Sequence, residues 1–167
     1  MDKMNLIIPE IFISLSLMSL LILGVFKKKS SKLIQNISLI VLLITAVMIF
    51  NETLGIKEIK LFNGSVIIDY LSSFMKIMTL VSAFLALVVS SNYLKSLKIF
   101  KIEYPILILS SVLGMLIMIS SNDLIVFYMG LELQSLALYV LATFNRDQLE
   151  SSEAGLKYFV LSALSSG

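Results

Sequence analysis

Leu124-Ile-Val-Phe-Tyr-Met-Gly-Leu-Glu132-Leu-Gln-Ser-Leu-Ala-Leu-Tyr-Val-Leu-Ala142 is an apolar run whose one charged residue stands near its centre. At about 1.5 Å rise per residue, the stretch from Asp123 puts the Glu132 carboxyl roughly 13 Å from a helix end, near the middle of a bilayer about 30 Å thick. A carboxylate at that depth costs several kcal/mol unless it is paired, hydrated or protonated, so an acid there is a functional candidate by default. The run is too long and too continuous for a half-buried strand. It reads as a membrane-spanning helix, and the rest of the chain repeats the pattern.

Of the 167 residues, 58% are hydrophobic and 14% are charged, with mean hydropathy +0.99. A water-soluble domain does not carry that much apolar surface. A transmembrane β-barrel would alternate apolar and polar residues, and these runs do not. The fold class is therefore an all-α polytopic transmembrane helix bundle. One membrane domain is expected over 1–167, with helices at about 6–26, 33–50, 66–93, 104–119, 123–144 and 151–167. Five of these are complete. The sixth provides only about 16 residues before the C-terminus, against about 20 needed to span. The chain is therefore expected to be a fragment, or one piece of a split protein. The first run carries Pro9 and Glu10 and is followed by basic residues, which marks a retained helix rather than a signal peptide. Pro105 suits the first turn of the fourth helix. The short turn Ser120–Asp123 makes the fourth and fifth helices antiparallel neighbours, with Asp123 as the cap.

Basic residues set the orientation. The loops after helices one, three and five carry Lys27, Lys28, Lys29, Lys32, Lys95, Lys98, Lys101 and Arg146. The opposite side carries Lys3, Lys57 and Lys60. The odd loops are expected on the cytoplasmic side (the matrix side in a mitochondrion) and the N-terminus outside. Lys27 to Lys32 form a topogenic cluster facing lipid headgroups. The net charge of +2, with basic residues confined to loops, gives no reason to invoke nucleic acid. The chain has no cysteine and no histidine, which excludes disulfides, thiolate or imidazole metal sites and His-based proton transfer. No phosphate loop, nucleophile elbow or cofactor fingerprint is present. Any proton handled here is handled by Asp, Glu, Lys, Tyr or water.

On the fifth helix Tyr128, Ser135 and Tyr139 lie at i−4, i+3 and i+7 from Glu132, on one face. Such a stripe supports either a hydrogen-bonded water chain or a packing face with Glu132 protonated against a backbone carbonyl. A neutral Gln would serve packing at lower cost, which favours proton handling. Lys157, about six residues into the sixth helix, has Glu153 one turn before it; position alone favours a lysine that snorkels to the interface and pairs with Glu153. Lys76 lies seven residues after Asp69, with structural and functional readings evenly open. Glu10 is most simply a first-turn acid favoured by the helix dipole. Gly114 and Gly130 permit close helix approach.

Two stretches, Leu131-Glu-Leu-Gln-Ser-Leu-Ala-Leu-Tyr139-Val-Leu-Ala142 and Glu153-Ala-Gly-Leu-Lys-Tyr-Phe-Val-Leu-Ser-Ala-Leu-Ser-Ser-Gly167, closely resemble the subunit N family of bacterial respiratory complex I, whose mitochondrial counterpart is NADH dehydrogenase subunit 2. Pro9-Glu-Ile-Phe12 and the setting of Lys76 resemble the same family's N-terminal region. Sister antiporter-like subunits usually carry a Trp-Glu pair on the matching helix; this chain has Leu131-Glu132 and no tryptophan. The resemblance implies the first part of an antiporter-like, proton-translocating subunit of NADH:quinone oxidoreductase, in a bacterial plasma membrane or a mitochondrial inner membrane. It implies neighbouring complex I membrane subunits and the lipid bilayer as partners. It implies no cofactor in this chain, since flavin, iron–sulfur clusters and quinone are bound by other subunits. Glu132 matches the family's acid of the fifth helix, whose lysine partner lies on a later helix. Lys157 matches a lysine assigned to the same proton path, which raises it above the snorkelling reading. Tyr128, Ser135, Tyr139 and Lys76 are supporting polar residues. A structural membrane anchor and a component of a stand-alone cation/proton antiporter are the alternatives.

The chemistry so implied is an ion pair that opens and closes. Opposite charges at close range favour each other's charged forms, and separation in a low-dielectric site removes that support. Moving a proton against ~150 mV costs roughly 3.5 kcal/mol. At about 1.4 kcal/mol per pKa unit, a switch of two to three units is the size required.

Overall fold

A computed structural model describes residues 5–26, 31–53, 58–96, 99, 101–145 and 147–166. Lys3, Lys27, Lys28, Lys29, Lys57, Lys98, Arg146 and Gly167 lie outside the described residues. A single 3-10 turn, Asn5–Ile7, leads into α1 (Ile8–Phe26), followed by α2 (Ser31–Thr53). Two short strands, β1 (Ile59–Leu61) and β2 (Val66–Ile68), then precede α3 (Tyr70–Ser96), α4 (Glu103–Ser120), α5 (Leu124–Ala142) and α6 (Leu149–Ser166). Helices α1 to α5 are each long and apolar enough to cross a membrane. The chain is an integral membrane helix bundle.

Helices α1 to α4 each bury one stripe and turn the remaining apolar surface outward. Ile13, Leu17 and Leu20 of α1, Leu80, Ala83 and Leu87 of α3, and Leu109, Val112 and Leu116 of α4 recur at helical spacing and meet in one core with Val41 and Leu42 of α2. The outward faces of α1 to α3 carry large residues such as Leu15, Val25, Phe50 and Val89. In water such a surface would drive aggregation; in a bilayer it is the lipid-facing skin. Small polar side chains inside the bundle satisfy themselves locally. Ser38 and Thr45 donate to the carbonyls of Ile34 and Val41, four residues back. Gln35 reaches across and donates to the Leu87 carbonyl at 3.2 Å.

The helices alternate in direction. Gly24 near the end of α1 lies against Ile34 at the start of α2 and against Ile102 and Ile106 at the start of α4. The opposite end is closed by a hairpin, over residues expected to form a loop and the beginning of the third helix. Ile59, Lys60 and Leu61 pair antiparallel with Ile68, Ile67 and Val66, so α3 starts at Tyr70 rather than Val66. Tertiary contact decides this: Leu61 and Ile68 bury against Leu6, and Val66 bridges to Ser121. The link to the α4–α5 turn continues through two donors on Asn122, whose backbone N–H reaches the Ser65 carbonyl at 2.9 Å and whose side-chain amide reaches the Gly64 carbonyl at 2.7 Å. The hairpin loop holds Phe62, Asn63 and Gly64 at φ 50°, 55° and 95°, a left-handed run that Asn and Gly tolerate best.

Asp69, between β2 and α3, accepts from the Ser72 backbone N–H at 2.7 Å, while the Ser72 hydroxyl accepts from the Asp69 N–H at 2.9 Å. This reciprocal cap fixes where α3 begins. The tightest helix contact joins α4 to α5. A Cβ placed on Gly114 would lie 2.7 Å from the Gly130 carbonyl oxygen and the Gln134 nitrogen, and one on Gly130 would lie 2.9 Å from the Gly114 carbonyl oxygen. The two backbones therefore touch directly, as the two glycines suggested.

Candidate functional site

Helix α5 begins as its sequence indicates, with the Asp123 carboxylate accepting from the Ile125 N–H at 3.0 Å. Contact with α4 through Gly130 then holds its middle, two residues before Glu132. Glu132 is half-buried there, and its Oε1 is fully buried without a hydrogen-bond partner among the described residues. A buried, unpartnered carboxyl oxygen in an apolar span calls for a proton, a water or a partner that approaches.

The stripe that Glu132 heads continues from α5 onto α6. Tyr139 is buried, and its hydroxyl donates to the Ser162 hydroxyl. Its ring stands edge-on to those of Tyr158, at 4.8 Å between centroids, and Phe159, at 5.7 Å. Ser135 is half-buried and Tyr128 is more exposed. Gly155 packs so closely on Thr143 that a side chain there would displace it, and Ser151 donates to the Ala142 carbonyl. These contacts make α6 antiparallel to α5. Ser162 carries no signal of its own in the sequence, because only its placement opposite Tyr139 distinguishes it from the other serines.

Lys157 lies away from Glu132. Counting from the Tyr139–Ser162 contact, Glu132 lies towards the hairpin end and Lys157 towards the other. The two are separated by about 18 Å along the helix axes at about 1.5 Å per residue. Lys157 pairs with Glu153 at 2.6 Å, and both side chains are largely exposed, at 69% and 64%. The structure thus joins Glu132, Ser135 and Tyr139 into one face but brings Lys157 only to its far end.

Lys76 is elsewhere and deeply buried. Its ammonium pairs with the Glu10 carboxylate across α1 and α3, with 3% of the lysine and 14% of the glutamate side chain exposed. It does not turn to Asp69, whose carboxylate is engaged as the cap of α3. Glu10, read from sequence as a first-turn acid, is one half of this ion pair. The partners are 66 residues apart, and no periodicity within one helix could have linked them. Among the described residues, no group of three or more His, Cys, Asp or Glu is arranged to hold a metal ion.

These features define a polytopic membrane protein with acids buried within its spans. A family model described as NADH:quinone oxidoreductase/Mrp antiporter, TM, matches residues 121–167, the segment that contains Glu132, Tyr139 and Lys157. Along its whole length the chain is homologous to NADH-quinone oxidoreductase subunit N. It is 65% identical over 167 residues to that subunit of Pelagibacter ubique, covering 100% of this chain and 35% of the relative. It is 47% identical over 162 residues to that of Paramagnetospirillum magneticum, covering 96% of this chain and 33% of the relative. It is also 47% identical over 166 residues to that of Bartonella bacilliformis, covering 99% and 34%. The chain spans about a third of the length of these relatives.

Proposed function

We propose that the chain is the N-terminal part of a proton-translocating membrane subunit of NADH:quinone oxidoreductase, and that Glu132 is its central proton-handling group. The observation that carries this reading is the buried, unpartnered Oε1 of Glu132 inside the segment matched by the antiporter family model. An acid whose only task was helix packing would be fully hydrogen-bonded, because each orphaned buried oxygen destabilises the bundle. An orphaned oxygen instead leaves room for a cationic partner that comes and goes. Each approach favours the carboxylate, and each departure favours the acid. Quinone reduction elsewhere in the complex drives the cycle. Flavin, iron–sulfur clusters and quinone belong to other subunits in this reading, and the neighbouring membrane subunits are the partners.

Tyr139 and Ser162 extend the polar face from Glu132 towards Lys157, with Ser135 between, and Tyr128 lies on the hairpin side. At about 18 Å by helix rise, Lys157 is a group at the far end of the path rather than the direct partner of Glu132. Its exposed pair with Glu153 favours a second reading for that residue alone, an interfacial lysine without a proton role.

The test is Glu132→Gln in the full-length subunit within its complex. Assembly and quinone reductase activity are expected to persist, while the number of protons translocated per electron falls. An assembled Glu132→Gln complex that pumps as wild type overturns the role of Glu132. Lys157→Ala separates the two readings of the lysine: lowered pumping supports the path, and unchanged pumping supports the interfacial role.

A further inference from the structure

At the end of the bundle opposite the hairpin, a cavity of about 170 Å³ lies between α1, α4 and α5, walled by Leu21, Ile106, Leu107, Val140 and Phe144. It is shallow. Leu21 stands five residues before the end of α1, Leu107 four after the start of α4 and Val140 two before the end of α5. At about 1.5 Å per residue the cavity reaches roughly 8 Å below the helix ends, the depth at which a bilayer passes from headgroup to acyl chain. Leu21 and Val140 are exposed on the flank of the described bundle, so the cavity opens towards surrounding lipid. A dry apolar cavity of about 150 Å³ takes up benzene, so this one has room for a short length of hydrocarbon.

Two charged side chains complete the lining at its outer end: Lys101, just before α4, and Glu103, in the first turn of α4. Both are exposed, and among the described residues neither forms an ion pair, with the other or with any third group. The Lys101 ammonium lies 6.0 Å from the centroid of the Phe144 ring, and Tyr104 braces that ring edge-on at 5.6 Å between centroids. Cation–π attraction therefore holds Lys101 over the aromatic wall of the cavity. A loop lysine that only set topology, or a first-turn acid that only met the helix dipole, would need no cavity beside it. Here a cation and an anion flank one apolar slot.

We propose that this groove holds one phospholipid whose headgroup carries both a phosphate and a primary ammonium, with a stretch of its acyl chain in the slot. Lys101 donates to a phosphate oxygen, and the Glu103 carboxylate accepts from the lipid ammonium. Charge complementarity selects this class. A lipid of net negative charge satisfies Lys101 but sets its surplus charge beside Glu103. A choline headgroup carries a cation but no N–H to donate to the carboxylate. A protein segment laid in the groove would bury both charges and would have to supply a partner for each, whereas a headgroup supplies both within the hydrated interface. The inference rests on the chain being a membrane helix bundle and not on the proton role of Glu132.

Photolabelling tests the proposal on the full-length subunit in its complex, held in nanodiscs of phosphatidylethanolamine, phosphatidylcholine and phosphatidylglycerol in equal parts. Each lipid in turn is supplied in trace amount with a photoreactive acyl chain, and labelled peptides are mapped by mass spectrometry. The ethanolamine lipid is expected to label the wall around Leu107 and Val140 about tenfold more than the choline lipid, the factor that corresponds to ~1.4 kcal/mol from one charge-assisted hydrogen bond. Glu103→Ala should abolish that preference, and Lys101→Met should lower labelling by all three lipids, since each carries a phosphate. Val140→Trp should fill the slot and remove the label while both charges remain. All three side chains are exposed, so the variants should assemble, as native gels will show. Equal labelling by the three lipids, or a preference that survives both Glu103→Ala and Lys101→Met, overturns the proposal. Absence of label from the groove overturns it too, because protein then covers this face.

Discussion

Adding one methyl group to Gly130 perturbs the seam on which the position of Glu132 depends. The new Cβ of Gly130→Ala would lie 2.9 Å from the Gly114 carbonyl oxygen, 2.9 Å from the Met118 nitrogen and 3.2 Å from the Met118 Cβ. Two of these three atoms belong to helical backbone and cannot swing aside. Helices α4 and α5 must therefore part by roughly half an ångström, which forfeits about a quarter of each dispersion contact along the seam. In a membrane that loss is not offset by a gain of hydrophobic burial, since lipid is as apolar as the side chains. The expected cost is that of an overpacked core, about 1–3 kcal/mol. Gly114→Ala meets the Gly130 carbonyl oxygen and the Gln134 nitrogen at 2.7 Å and should cost at least as much. Once either methyl has parted the helices, the second finds the space already made, so the double variant should cost less than the sum of the singles. Thermal inactivation of the full-length subunit in detergent, run as a four-member cycle, measures both the costs and the coupling. Strict additivity, or an unchanged midpoint in Gly130→Ala, would refute direct backbone contact at this seam.

Other predictions follow from individual contacts. Tyr139→Phe removes the hydroxyl bond to Ser162 but keeps the edge-on ring contacts with Tyr158 and Phe159. It should cost about 0.6 kcal/mol, as interhelical hydrogen bonds in membranes do, against about 3–5 kcal/mol for Tyr139→Ala, both read as shifts in thermal inactivation. Asp69→Ala removes the cap on α3 and should cost about 1 kcal/mol; Asp69→Asn should restore most of it. Lys76→Met strands the buried Glu10 carboxylate and should lower the amount of assembled complex on native gels. The double variant Glu10→Gln/Lys76→Met should recover assembly, because it is the unpaired charge rather than the missing bond that destabilises.

The parts legible in the sequence were those written in local pattern. Apolar runs marked the helix bundle, Asp123 marked the start of α5, and Gly114 and Gly130 marked a close approach, because each of these depends on neighbours within a turn or two. The hairpin carried its own signal, Asn63-Gly64 between the apolar pairs of Ile59, Leu61, Val66 and Ile68. That dipeptide favours the positive φ values of a tight hairpin turn, yet strands of three residues are too short to show a period against the surrounding apolar helices. The Glu10–Lys76 pair was not legible. Each residue had a sufficient local explanation, and only the packing of α1 on α3 overrules both. Lys157 shows the reverse. Its resemblance pointed inward to a proton path, while its contact with Glu153 is the one that helical spacing alone suggests.

The clasp between the hairpin and the α4–α5 turn has a consequence for biosynthesis. Gly64 and its donor Asn122 are 58 residues apart, so the strands leave the ribosome long before the residues that hold them. The clasp closes only after α3 and α4 have entered the bilayer and brought the residues that follow α4 back to the hairpin side. Closure therefore follows the insertion of both intervening helices. A chain that delivers α4 in the wrong orientation leaves Ser121 and Asn122 on the far side of the membrane, and its hairpin stays unfastened.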